Sequence, residues 1–163
     1  MPNFSNYNQL EKSLNEKLKE AMNLTSDEVF QILSEKVNEY YDEPVFDGSS
    51  IPEYERTNKL RDSLSKSDVS YRNNKFSFTV GFDDEYLSFT YDGWERRWGR
   101  GLRGKNRATG EDVLNYFNTG RHGGNGFIGG HEYWNEALEE IDSRGGLNEI
   151  LKRNLKKLGV PIK

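Results

Sequence analysis

Cysteine is absent from this 163-residue sequence, proline occurs four times, and histidine only at His122 and His131. The missing thiols exclude a disulfide framework, a thiolate metal site and a cysteine nucleophile. Long apolar runs are also missing, and none approaches the roughly 18 residues a membrane-crossing helix needs. The first residues, Met1-Pro2-Asn3-Phe4-Ser5-Asn6, have neither the basic start nor the apolar core of a secretory signal. The expectation is a soluble chain that is intracellular when made. Positive charge is in short supply too, with 23 Lys and Arg against 27 Asp and Glu. A net charge of −4 argues against nucleic-acid binding by the domain as a whole. Hydrophobic residues make up only 33%, so the core is modest. Nine Phe, nine Tyr and three Trp supply much of it, and contact with neighbouring subunits is expected to complete the burial.

What is present organises the chain as one domain, residues 1–163, of class α+β: N-terminal helices, a small antiparallel β-meander, a long Gly/Arg-rich loop and C-terminal helices. In the helical region 5–43, Leu10, Leu14 and Leu18 stripe a first helix over about 5–22. Thr25-Ser26-Asp27-Glu28 reads as a capping box opening a second, striped by Val29, Phe30, Leu33, Val37 and Tyr40, which Pro44 ends. In the region 54–92, Leu60 and Leu64 mark a short helix. Alternation at Phe76, Phe78, Val80 and Phe82, then at Leu87, Phe89 and Tyr91, marks about three strands. Region 93–130 holds 11 glycines in 38 residues and reads as loop with a helical interruption at Glu111–Phe117. Region 131–160 returns to helix, striped first by Tyr133, Trp134, Ala137, Leu138 and Ile141, then by Leu147, Ile150, Leu151, Leu155 and Leu158.

Motifs that carry chemistry fail one by one. Gly99 to Asn106 approaches a Walker A loop, but Asn106 stands where the magnesium-binding hydroxyl belongs, and no buried strand leads into it. His131-Glu132-Tyr133-Trp134-Asn135 begins like a zinc-protease motif, with Asn135 in place of the second histidine. Asp83-Asp84 reads as a turn. No catalytic residue, metal ligand or cofactor is singled out. One segment stands apart. Between Trp94 and Arg107 lie Arg96, Arg97, Arg100, Arg103, Lys105 and Arg107, opposed by Glu95 alone. This gives a local charge of +5 and leaves −9 for the remainder. Such segregation suits contact with phosphates or acidic surfaces, and equally a solvated loop that meets the acidic helices of its own or a neighbouring subunit. With Trp94 and Trp98 as apolar anchors, this segment is the candidate interface.

The order Tyr54-x-Arg56-Thr57-x-x-Leu60-x-x-Ser63 after the N-terminal helices resembles a signature of tailed-bacteriophage neck proteins, the tail-completion or head–tail joining family. The Gly120-Arg121-His122-Gly123-Gly124 loop, the helix from Glu132 and the Leu155–Val160 ending are similar to its layout. Asn58 within the signature and the long arginine–glycine segment depart from it. The resemblance implies a non-enzymatic, ring-forming virion protein located in the neck. Its partners would be copies of itself, head-closure or connector proteins, tail-terminator or tail-tube proteins, and packaged DNA, with no membrane. It would lie in the host cytoplasm during assembly. The alternative is a phage-encoded nucleic-acid-binding accessory protein that uses the basic segment 94–107.

Overall fold

The computed structural model describes residues 6–42, 58–97, 100–119 and 132–162. The fold is mixed α and β, with helices at both ends and short antiparallel strands between. Two compact units share the chain. One takes Met1–Glu35, Lys66–Val80 and Trp134–Lys163; the other takes Lys36–Ser65 and Gly81–Tyr133.

Helix α1 runs unbroken from Tyr7 to Asp42, where the sequence pattern predicts two helices. Thr25 does not cap. Its hydroxyl donates to the Ala21 carbonyl at 2.8 Å, one turn back, and so stays inside the helix. With no glycine or proline between residues 7 and 42, nothing interrupts the backbone ladder.

In the first unit, α1 is joined by α5 (Tyr133–Ser143, of which Tyr133 falls in the other unit) and α6 (Gly146–Lys157). Ala21, Ile32, Leu33, Val69, Ala137, Ile141 and Ile150 form its core. Asn154 is buried among them and donates through Nδ2 to Thr25 Oγ1 at 3.2 Å, which satisfies both groups. Lys17 Nζ donates to the Leu158 carbonyl at 2.8 Å and so holds the C-terminal end of α6. Strands β2 (Ser70–Arg72) and β3 (Lys75–Ser77) form a hairpin. Its turn residues Asn73 and Asn74 both take the left-handed conformation that asparagine tolerates.

In the second unit, Val37, Tyr40, Leu60, Leu64, Leu87, Ala108, Val113 and Tyr133 are buried. Helix α2 (Lys59–Ser63) packs on α3 (Asp84–Leu87), and α3 packs on α4 (Gly110–Thr119). Tyr40 meets Phe117 edge-on at 5.1 Å, and Phe82 meets Tyr133 the same way at 5.5 Å.

The strand pattern corrects the expected three-strand meander. β1 (Leu64–Lys66) pairs with β4 (Val80–Phe82) and β2 with β3, as separate two-stranded sheets. The stretch from Glu85, read as a strand, opens as α3. Asp83 caps it by accepting from the Tyr86 amide at 3.0 Å, so local capping overrides the alternation of Leu87 and Phe89. The larger correction falls on 93–130. Its first part is no loop. β5 (Phe89–Arg97) and β6 (Arg100–Ala108) pair in register over nine residues each, and Gly93 sits opposite Gly104. Pairing satisfies the backbone groups that glycines alone would leave to water.

Candidate functional site

The β5–β6 ribbon carries most of the candidate interface residues, and its base is fixed from both sides. On entry, Ser88 Oγ accepts from the Gly110 amide at 3.1 Å. On exit, Asp84 Oδ1 accepts from the Glu111 amide at 3.0 Å, and Asp112 accepts from the Thr109 amide at 2.9 Å and its hydroxyl at 2.8 Å. These bonds place carboxylates at the first turn of α4, where its free amides need acceptors. The Asp112 carboxyl accordingly lies below its ordinary value, held there by the Thr109 amide and hydroxyl. The sequence read Asp83 and Asp84 as turn formers; the structure makes one a helix cap and the other the clasp between α3 and α4. Gly110 is required at the clasp, since a Cβ there would come 2.3 Å from Asp84 Oδ1 and 2.7 Å from its backbone.

The ladder pairs Trp94 with Arg103, Asp92 with Lys105, Thr90 with Arg107 and Arg96 with Gly101. Arg97 is the ladder partner of Arg100 at its far end. Seven of the eight candidate interface residues thus lie on the ladder, with Trp98 outside the described residues.

Of the signature residues, Leu60 and Ser63 are buried, and Ser63 Oγ donates to the Leu60 carbonyl at 2.7 Å. Tyr54, Arg56 and Thr57 lie outside the described residues, as do His122, His131 and the Gly120–Gly124 loop. Among the described residues no group of three or more His, Cys, Asp or Glu could hold a metal ion, and no helix is long and apolar enough to cross a membrane.

The sequence reading missed a second feature, in the first unit. An open groove of about 510 Å³ lies between α1 and α6, closed at one side by Arg144 just past α5, with Glu28 in its wall. The Glu28 carboxylate accepts from Arg144 at 3.2 Å and, more closely, from Arg153. Burial pushes the Glu28 carboxyl up, but the bonds from the two arginines outweigh it and leave the group below its ordinary value. Lys157, Asp27 and Glu35 complete a rim of balanced charge. Glu28 and its partners lie 116 and 125 residues apart, and in sequence Glu28 reads as the end of a capping box. Only packing brings them together.

A model of the YomN family matches residues 6–157, almost the whole chain. The chain belongs to the YomN family. That name is phage-derived, so a bacteriophage origin agrees with the resemblance drawn from the sequence, at a coarser level than a neck role. No curated protein and no solved structure matches this YomN-family chain.

Proposed function

We propose that the protein is a non-enzymatic virion component that assembles as a homo-oligomeric ring and joins the phage head to the tail. The observation that carries this reading is a pair of uncovered apolar stripes in the first unit. On α1, Tyr7, Leu10 and Leu14 are 75%, 44% and 48% exposed, although they continue the helical spacing of Leu18 and the fully buried Ala21. On α5, Trp134 and Leu138 lie one turn apart and are also exposed. Single exposed apolar residues are ordinary on a protein surface; stripes at helical spacing are the mark of an association surface. A ring closes when such a surface meets a different surface on the next copy. The family and the segment around Leu60 and Ser63 support the phage setting. Head-closure, connector, tail-terminator and tail-tube proteins are the partners such a ring would have, in the neck of the virion.

The test is genetic and structural together. Phage lacking the gene should accumulate DNA-filled heads and free tails, and supplying wild-type protein should join them. A Leu10→Glu, Leu14→Glu variant should remain helical by circular dichroism, yet give only small species by native mass spectrometry and fail to complement. Normal joined particles from the deletion phage overturn the reading.

A further inference from the structure

We propose that the uncovered stripe of α5 in one copy, Trp134 and Leu138, docks into the open hollow between α1 and the β2–β3 hairpin of a second copy. This rests on the reading of the protein as self-assembling and names the two surfaces that meet. Its ground is that the first unit carries both an apolar hollow and an exposed apolar stripe, flanked by charges of opposite sign.

The hollow has a volume of about 410 Å³ and is lined by Tyr71 and Phe76 of the hairpin and, among others, by Lys12, Asn15 and Lys19 of α1. The ladder sets Tyr71 opposite Phe76, and their rings lie 4.5 Å apart. Apolar atoms dominate the lining, although every α1 residue in it is polar or charged. Pockets of about 300–1,000 Å³ enclose small molecules, so an indole has room here.

Three arguments select a second copy as the occupant. The first is shape. Tyr133, Ala137 and Ile141 hold α5 down, while Trp134 and Leu138 remain 41% and 46% exposed on its outer side. A tryptophan entering a concave apolar site is the commonest kind of binding anchor. The second is charge. Residues 70–77 hold Arg72 and Lys75 and no acid, whereas α5 holds Glu136, Glu139, Glu140 and Asp142 and no base. Arg72, Lys75, Glu139 and Asp142 make no ion pair among the described residues, so these charges are left to meet across an interface. The third is connectivity. Stripe and hollow belong to different elements, so the contact is head-to-tail and repeats from copy to copy. The hollow also shares the first turns of α1 with Tyr7, Leu10 and Leu14, which places those exposed residues beside the docked copy.

The experiment follows the mass of the full chain by native mass spectrometry over a concentration series. Trp134→Ala should weaken self-association about 30-fold, the loss of one anchor. Arg72→Glu, Lys75→Glu should weaken it at least about tenfold, and so should Glu139→Lys, Asp142→Lys, since each brings like charges together. An equimolar mixture of these two charge variants should regain wild-type association, because every α5 then finds a hollow of opposite sign. Circular dichroism checks that each variant folds; should Trp134→Ala fail, the charge variants decide, since all four positions are exposed. Multimers untouched by the charge variants, or a mixture no better than its components, overturn the pairing of these surfaces and leave self-assembly standing. A wild-type chain that stays monomeric at every concentration overturns the docking, while the deletion phage decides the neck reading independently.

Discussion

Glu28 is mostly buried, and two arginines contributed by distant parts of the chain hold it ionised. A carboxyl whose folded value lies below its ordinary 4.5 adds stability above that pH, and the contribution is lost as the pH falls through the folded value. Glu28→Gln should therefore destabilise the protein by about 1–2 kcal/mol at neutral pH, the arginines' partial exposure keeping the figure low. The difference from wild type should shrink below pH 4.5, as urea titrations at several pH values would reveal; a constant difference would mean the carboxylate charge plays no part. Gly110 gives a second prediction at this scale. Gly110→Ala drives a methyl group into Asp84 and should cost about 1–3 kcal/mol by thermal melting. An unchanged melting temperature would show that the clasp yields freely. Neither residue was legible from the sequence as anything but a helix starter or one more glycine, because both acquire their roles from partners far along the chain.

At the scale of elements, helix α2 is only five residues long and is held by what it buries. Leu60 is fully buried, so Leu60→Ala should cost about 2–5 kcal/mol; a melting temperature within a degree or two of wild type would detach the signature segment from the core. Leu60, Ile150 and Ile141 were readable as inward-facing because helical spacing follows directly from 3.6 residues per turn. The boundaries were less readable. Thr25 offers a cap to the eye of the sequence reader, yet its hydroxyl has an equally good acceptor one turn back, and a helix without glycine or proline has no reason to stop. Likewise Trp134 and Leu138 belong to the apolar pattern of α5 but stay exposed, since pattern marks what is apolar and not what finds a neighbour. The ribbon was hidden by its glycines, which count against a strand one at a time but fall opposite each other at Gly93 and Gly104 once the register is set.

For the whole molecule, mixed α and β architecture and the location of unusual charge were both evident in composition and order, whereas the pairing of that charged segment into a two-stranded ribbon was not. The clasp under the ribbon has a consequence for how such a molecule varies. The amide of Gly110 and the hydroxyl of Ser88, 22 residues earlier, lie within one hydrogen bond of each other, so the two ends of the ribbon are fastened together at a single point. An excursion that starts and ends at a fixed gate is thermodynamically decoupled in its length: doubling it adds only about 0.6 kcal/mol of closure entropy. Extra pairs of ladder residues lengthen it while the α3–α4 junction keeps its bonds. The reach of the ribbon is thus a quantity that insertions and deletions can tune across relatives without refolding the body that carries it.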